Sequence, residues 1–239
     1  MWTKATALSM PPIYAIVCNA PCKNVNVSTT NTSDNALVQP TNRFAWQLII
    51  LGIIGWIGAV TLTFERIHLW ISPNDALSCD VSSFISCKSV MLQKQAAIFG
   101  FPNSFVGIIA FLAPIALGIA SLLGYRYGAA IWRVFFAGIG MGFVFSLWLF
   151  SQSVFVIGVL CPYCIVVWIG MLPLFFKVYS FGILEGFLEA PKALVARAAG
   201  FYETAWIWAL SLELIILATI ILRFLSQWKT LFIGLSQGS

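Results

Sequence analysis

The chain has 239 residues, of which 60% are hydrophobic and only 9% are charged, with a formal net charge of +5 at pH 7. Soluble domains carry about 25% charged residues, so this composition excludes a water-soluble globular protein and predicts an integral membrane protein. Basic residues that flank membrane spans account for the positive charge, and no nucleic-acid partner is needed to explain it.

The N-terminal segment, residues 1–43, is polar and rich in Asn, Ser and Thr. It lacks hydrophobic periodicity, so we predict a disordered tail. Residues 44–64 contain no charge, and a helix of that length crosses about 30 Å of hydrocarbon. Residues 65–94 then carry six charges and include Pro73, which predicts a loop in water.

Four more spans follow the first. A polar dip at 151–153 divides an uncharged run of 43 residues into two of them, and charges between 177 and 203 mark a further loop. The sequence therefore predicts an all-α membrane protein with one membrane domain at 44–225 and a short tail at 226–239. The predicted second to fifth spans are 104–125, 134–152, 160–177 and 204–222.

The distribution of Lys and Arg predicts the orientation, because basic residues are enriched in cytoplasmic segments. With the N-terminus inside, the inner segments hold eight basic residues and the outer segments hold five. This count favours a multi-pass protein of the cell (plasma or inner) membrane with a cytoplasmic N-terminus. The 65–103 loop and the 153–160 turn then lie on the extracytoplasmic side.

The six cysteines form three close pairs. One pair falls in the N-terminal tail, where a reducing cytoplasm predicts free thiols. The other two pairs share the extracytoplasmic face, one in the 65–103 loop and one at the start of the fourth span. The pairs are Cys18/Cys22, Cys79/Cys87 and Cys161/Cys164.

The third pair occupies a Cys-Pro-Tyr-Cys sequence at a predicted helix start. Cys161 and Cys164 are three positions apart, and Pro162 suits the first helical turn because its missing N–H would be unpaired there. The positive end of the helix dipole favours thiolate, the species that attacks disulfides. We predict a redox couple; the alternative is two buried cysteines that pack as small hydrophobic residues.

The second pair is separated by eight positions in a polar loop, ALSCDVSSFISCKSVM at 76–91. Taken alone, such a pair is most often a structural disulfide. Because it shares a membrane face with a redox pair, it is also a candidate shuttle. A hydrophobic quinone in the helix bundle is the natural acceptor for the electrons, since no flavin or haem motif is present.

Three segments carry a resemblance to a known family: the 76–91 loop, AIFGFPNSFVG at 97–107 and LCPYC at 160–164. Their four cysteines, Cys-Asp dipeptide and Phe-Gly-x-Pro-Asn element resemble the vitamin K epoxide reductase family over roughly 44–225, and most of all its bacterial membrane branch. The resemblance implies a four-helix bundle around a quinone with a fifth peripheral helix. It also implies a membrane enzyme that reoxidises thioredoxin-fold disulfide donors and so supports disulfide bond formation.

The resemblance implies roles for individual residues. Cys79 would exchange with the partner protein, and Cys87 would relay electrons to Cys161. Cys164 would face the quinone, either menaquinone or ubiquinone. Asn103 would donate a hydrogen bond to a quinone oxygen. Many bacterial members carry a fused thioredoxin domain, whereas this chain ends at residue 239, so the expected partner is a separate extracytoplasmic thioredoxin-like protein.

Two positions depart from the family pattern. Gln93 stands where Ser or Thr is usual, and Trp168 stands where the animal enzymes have an aromatic hydroxyl. The second difference argues against epoxide reduction of the animal type. Both residues, with Phe105 as a further wall, are expected at the quinone site.

Two other functions stay open at this stage. One is a quinone or vitamin K (epoxide) reductase that uses thiol donors, with the same chemistry and different partners. The other is a transporter or sensor in which the outer cysteines bind a soft metal such as Cu(I) or Zn(II). No His or Met cluster accompanies these cysteines, so the sequence predicts no metal site.

Overall fold

The computed structural model describes residues 37–186 and 192–230, apart from the side chains of 192–199. The predictions for the tail up to residue 36, including those for Cys18 and Cys22, lie outside the described residues, as does the end of the chain from residue 231 onward. The described part contains six α-helices up to Arg223 and a further helical segment at 225–230, together with a 3-10 turn at Lys94–Ala97 and a π-helical turn at Gln152–Ile157. The helices are α1 (Asn42–Ile71), α2 (Cys87–Met91), α3 (Asn103–Leu122), α4 (Ala129–Ser151), α5 (Pro162–Leu184) and α6 (Lys192–Arg223).

Five of the described helices are long and apolar enough to cross a membrane. They are α1, α3, α4 with its π-helical extension, α5 and the Gly200–Arg223 part of α6. Both the predicted all-α membrane fold and the predicted number of spans are confirmed. The short helix α2 and the 3-10 turn lie in the 65–103 segment that was predicted to be a loop.

The first helix extends seven residues beyond its predicted end at residue 64, to Ile71. The charges at Glu65 and Arg66 mark the end of the uncharged run, but they do not interrupt the helix, because a helix tolerates charge once it leaves hydrocarbon. The stop comes at Ser72, whose N–H donates to His68 O at 2.8 Å. Pro73 follows, and proline disfavours helical geometry in the residue before it.

The segment at 177–203 is helical over much of its length, although its charges predicted a loop. Lys177 lies inside α5 and is only 4% exposed. Its Nζ donates to Tyr202 O at 3.0 Å and lies over the rings of Tyr202 and Trp206 at 4.6 and 5.3 Å. Because α6 supplies these partners, the lysine is buried without breaking the helix. The turn comes later, at Gly186 with φ +73°, a conformation that glycine adopts readily.

Helices α1, α3, α4 and α5 form a bundle in which α1 packs closely against both α3 and α5. A Cβ atom on Gly170 would lie 2.7 Å from Gly55 N and 2.9 Å from Leu51 O, so the two backbones are in direct contact there. The start of α1 also meets the end of α5, where the rings of Phe44 and Phe181 stack with their centroids 4.2 Å apart. The two helices are therefore antiparallel neighbours along most of their length.

Helix α6 lies outside this bundle and packs against α5. Its buried residues Ile216 and Ile220 share a hydrophobic cluster with Trp168 and Leu172 of α5. The peripheral position that was expected for the fifth span is the one observed.

Candidate redox site

Two extended segments meet at one end of the bundle. Ile85 and Leu160 form an isolated parallel β-bridge, and the peptide groups of Leu160 bond to the chain on either side of Ile85 at 2.8 and 2.9 Å. Residues that follow a parallel bridge run side by side. Cys161 comes directly after Leu160, and Cys87 comes two residues after Ile85, so the bridge brings these two cysteines together.

Four cysteine side chains gather at this place. Cys79 and Cys87 form a disulfide with a Cα–Cα distance of 5.6 Å, while Cys161 and Cys164 are free thiols. The Sγ atoms of Cys87 and Cys161 are 3.3 Å apart. The prediction that both pairs lie at the same end of the bundle is therefore confirmed. The arrangement permits a thiol of one pair to attack the disulfide of the other without a large movement.

The position of Cys161 favours the thiolate form of its side chain. Cys161 is the N-cap residue of α5, with Pro162 in the first helical turn as predicted. A hydrogen bond from the Cys164 side chain lowers the pKa of Cys161; burial and the nearby Asp80 charge oppose this, and backbone hydrogen bonds from Cys164 and Tyr163 add to it. The net shift is downward, toward thiolate.

The Cys79–Cys87 loop is organised around one carboxylate. Asp80 Oδ1 accepts hydrogen bonds from Ser86 Oγ at 2.7 Å and Lys88 N at 3.1 Å, and its Oδ2 accepts from Leu77 N at 3.1 Å. Burial raises the pKa of Asp80, but these hydrogen bonds outweigh it and hold the pKa below its ordinary value. The residue after Cys79 thus ties together both ends of the disulfide loop.

Replacement of Asp80 by Asn is expected to destabilise the protein by about 1–3 kcal/mol at pH 7, because an amide NH₂ cannot accept the hydrogen bonds that one carboxylate oxygen accepts. The folded pKa is lowered, so the carboxylate stabilises the fold above the ordinary aspartate pKa. This contribution is lost as the pH falls below that value. Thermal unfolding between pH 7 and pH 3 should therefore show a smaller acid-induced loss in Asp80→Asn than in the parent.

The matched control is Asp75→Asn, in the same loop region. The Asp75 side chain is 62% exposed and lies 3.5 Å from His68 Nε2. Exposed ion pairs contribute about 0–1 kcal/mol, so this variant should unfold almost as the parent does. Equal acid sensitivity in Asp80→Asn and the parent would show that the Asp80 carboxylate does not stabilise the loop.

A cavity of about 440 Å³ adjoins the cysteines, within the bundle of α1, α3, α4 and α5. Such a volume is typical of small-molecule sites, which combine apolar walls with a few polar groups. Its walls are mainly apolar side chains and glycines. The polar groups that line it are Cys161, Cys164, Arg66, Gln95, Asn103, Ser104, Ser146, Gln152 and Ser153.

Three of the predicted site residues beyond Cys161 line this cavity: Cys164, Trp168 and Asn103. Trp168 is buried and meets Phe150 edge-on with ring centroids 5.3 Å apart. The Asn103 amide holds the preceding turn, because its Nδ2 donates to Gln95 O at 2.7 Å and its Oδ1 accepts from Ile98 N at 3.2 Å. The Asn103 NH₂ group has a second hydrogen with which to donate to a ligand.

Two predicted residues are not brought to the cavity. Gln93 is exposed, and its Nε2 donates to Ser89 O at 3.3 Å on the outer side of the 91–98 segment. Phe105 contacts Trp70 edge-on, with ring centroids 6.4 Å apart. Phe105 is two residues after Asn103 on α3, which rotates its side chain by about 200° around the helix. It therefore cannot share the face on which Asn103 lies.

Six polar residues of the cavity were missed by sequence reasoning: Arg66, Gln95, Ser104, Ser146, Gln152 and Ser153. Gln95 Nε2 lies 3.5 Å from Gln152 Oε1, and both residues line the cavity. Among the described residues, Ser104 Oγ and Arg66 Nε are buried without a hydrogen-bond partner. Sequence signals did exist: Gln152 belongs to the polar dip that divided the third and fourth spans, and Ser104 follows Asn103 directly.

A family model described as the vitamin K epoxide reductase family matches residues 46–179. The matched range runs from α1 into α5 and includes all four clustered cysteines and the cavity. No individual curated protein matches the chain. Because the matched range covers more than half of the sequence, the chain belongs to the vitamin K epoxide reductase family.

Proposed function

We propose that this multi-pass membrane oxidoreductase is a thiol oxidase. It would reoxidise a separate extracytoplasmic thioredoxin-like disulfide donor, pass two electrons to a membrane quinone and so support disulfide bond formation. The observation that supports this most directly is the 3.3 Å contact between Cys87 Sγ and Cys161 Sγ beside an apolar cavity. The loop disulfide, the second thiol pair and the hydrophobic cavity adjoin one another in this sequence, which supports a stepwise transfer.

The cysteines carry the electrons in two exchanges. A donor thiolate attacks Cys79 and expels Cys87 as a thiolate, and the second donor thiol then releases Cys79 so that the donor leaves as a disulfide. Cys87 attacks Cys161 of the oxidised Cys161–Cys164 pair at the start of α5 (the helix pair) and expels Cys164. Cys79 then attacks Cys87, which restores the loop disulfide and leaves Cys161 and Cys164 as thiols. In the structure the loop disulfide is closed and the helix pair is reduced. In the proposed cycle, this arrangement would follow transfer of the electrons to the helix pair and precede reaction with the next donor.

The cavity fits a quinone head group by its chemistry. Its walls are largely apolar, and the buried, unpartnered Ser104 Oγ and Arg66 Nε are donors suited to carbonyl oxygens. Asn103 offers a further N–H, and Trp168 closes one side. A quinone bound there would take up the two electrons and two protons of the helix pair and leave as a hydroquinone. Menaquinone and ubiquinone share the chemistry that these residues recognise.

We further propose that the N-terminus is cytoplasmic and the cysteine end of the bundle extracytoplasmic, in the cell (plasma or inner) membrane. The redox unit would be residues 44–225, with 1–43 and 226–239 as flanking tails. The excess of Lys and Arg in the inner segments supports this orientation. An extracytoplasmic site is also consistent with a stable loop disulfide, since the cytoplasm keeps thiols reduced.

The soft-metal alternative is disfavoured by the loop disulfide, because Cys79 and Cys87 are bonded to each other and are not available as thiolate ligands. In the described ranges, no three His, Cys, Asp or Glu side chains gather as a metal site. A reductase that uses thiol donors would employ the same cysteines; the donor and the acceptor would distinguish it.

The test is reconstitution of the purified protein in liposomes with quinone and a reduced thioredoxin-fold donor. We expect one hydroquinone for each donor disulfide formed. Cys79→Ala should lower this rate by at least about 100-fold, because the donor loses its point of attack. The matched control Cys18→Ala/Cys22→Ala should stay within about twofold of the parent. Quinone reduction without donor oxidation, or an active Cys79→Ala variant, would contradict the proposal.

A further inference from the structure

Cys79 is only 3% exposed. This is unexpected if, as the proposed function requires, a partner protein attacks its sulfur, because disulfide exchange needs access to the attacked atom. Cys79 lies in a buried cluster with Leu69, Leu77 and Cys87, and the ring of Tyr163 packs against that cluster. Something must therefore uncover Cys79 before a partner can react with it.

One side of this cluster is supplied by Leu77, which belongs to the segment 72–78 between the end of α1 and Cys79; we refer to this segment as the strap. One end is held by Lys88, whose Nζ donates to Pro73 O at 2.6 Å and Asp75 O at 3.2 Å. The other end is held by Ser78. Its Oγ lies 2.8 Å from Tyr163 Oη and donates to Glu65 Oε1.

The direction of this second set of hydrogen bonds follows from the number of protons available. A serine hydroxyl has one hydrogen, and an ionised carboxylate only accepts. Ser78 therefore donates to Glu65, and Tyr163 donates to Ser78. The two hydrogen bonds therefore run in one direction, from Tyr163 to Ser78 and from Ser78 to Glu65. Tyr163 lies between Cys161 and Cys164, Ser78 directly precedes Cys79, and Glu65 lies near the end of α1.

We propose that Glu65, Ser78 and Tyr163 form a clasp that holds the strap closed over Cys79, so that opening of the clasp controls access to the loop disulfide. The inference rests on the proposed function for its purpose, but the access it describes is a property of the loop alone. These three are positioning residues, since none of them exchanges electrons. Tyr163 lies between Cys161 and Cys164, so the clasp also connects the disulfide loop to the start of α5, where the helix pair lies.

The reaction that the clasp would limit is reduction of the Cys79–Cys87 disulfide by a dithiol. One thiolate of a dithiol attacks Cys79 Sγ and breaks the bond to Cys87, which leaves as a thiolate and takes up a proton. The second thiol of the donor attacks the mixed disulfide and releases Cys79, which also takes up a proton. The donor leaves as a disulfide, and the loop has gained two electrons and two protons.

The test uses the full chain with Cys161→Ala/Cys164→Ala, so that the loop disulfide cannot pass electrons on, and with dithiothreitol as the only reductant. The rate of loop reduction is measured by thiol alkylation and mass spectrometry of the peptide that contains Cys79 and Cys87. In this background, Tyr163→Phe should speed reduction about fivefold, as expected for the loss of one hydrogen bond. Ser78→Ala should speed it at least as much.

Two further results are expected if the three residues act as one clasp. Adding Tyr163→Phe to Ser78→Ala should give no further increase, because both changes remove the same bond. Ser78→Thr, which keeps a hydroxyl, should restore the slow rate. The matched control Ser83→Ala, on an exposed serine of the same loop, should leave the rate unchanged. Unchanged rates in Tyr163→Phe and Ser78→Ala, or effects that add in the double variant, would overturn the clasp. No quinone or protein partner is present, so this result is independent of the proposed function.

Discussion

A Cys79→Ala/Cys164→Ala variant is expected to form a Cys87–Cys161 disulfide in nearly all molecules after mild oxidation. The variant retains one sulfur from each pair, and the two retained Sγ atoms are 3.3 Å apart in the parent structure. Both are fully buried, in segments that the bridge at Leu160 fixes to each other. A short movement to bonding distance therefore suffices, and the cross-link reproduces the intermediate through which electrons would pass from loop to helix.

The matched control is Cys79→Ala/Cys161→Ala, which leaves Cys87 with Cys164 instead. Cys164 lies one helical turn further along α5 and lines the cavity, so its cross-linking to Cys87 should be at least about tenfold slower, as expected when reacting groups are poorly positioned. Mass spectrometry of non-reduced peptides distinguishes the two products. Equal rates in both variants would mean that the loop moves freely over the end of α5, and the observed sulfur contact would then have no special role.

The fold was predictable from sequence wherever hydrocarbon excludes charge, and less so elsewhere. Uncharged runs gave the correct number of spans because an unpaired charge is costly in the membrane. The positions of charged residues predicted the ends of the helices less accurately. Glu65 is helical because α1 continues past the apolar region, and Lys177 is helical because α6 supplies a carbonyl and two aromatic rings for its ammonium group. Such pairing between distant segments leaves no local signal in the sequence.

The redox site was also predictable only in part. Cysteine spacing and the shared membrane face were enough to predict that the two pairs meet. The cavity wall was harder, since it depends on helix phase and on irregular turns. Asn103 and Phe105 are close in sequence but point in different directions, and the 3-10 turn at Lys94–Ala97 brings Gln95 rather than Gln93 to the cavity. Arg66 was counted only as a flanking charge, although its side chain turns inward to bond Met91 O.

The largest single effect on turnover is expected from Cys164→Ala. Two electrons leave the helix pair when its two thiols close to a disulfide, and Cys161 alone has no partner sulfur in the pair with which to close. Quinone reduction should therefore fall by at least about 1,000-fold, a loss typical of removing a group that acts directly in catalysis. Stopped-flow absorbance of the quinone, with a reduced thioredoxin-fold donor, measures this rate.

The same variant contains its own control for folding. The Cys79–Cys87 disulfide is untouched by Cys164→Ala, so a single turnover in which the donor reduces the loop should proceed within about threefold of the parent rate. Loss of both half-reactions would mean only that the variant has lost its structure, and Cys164→Ser would then be the replacement, because its hydroxyl matches the thiol more closely in size. Loss of quinone reduction with an intact loop reaction places Cys164 between the loop and the acceptor. Quinone reduction that survives either substitution would show that electrons leave this protein by a route other than the Cys161–Cys164 pair.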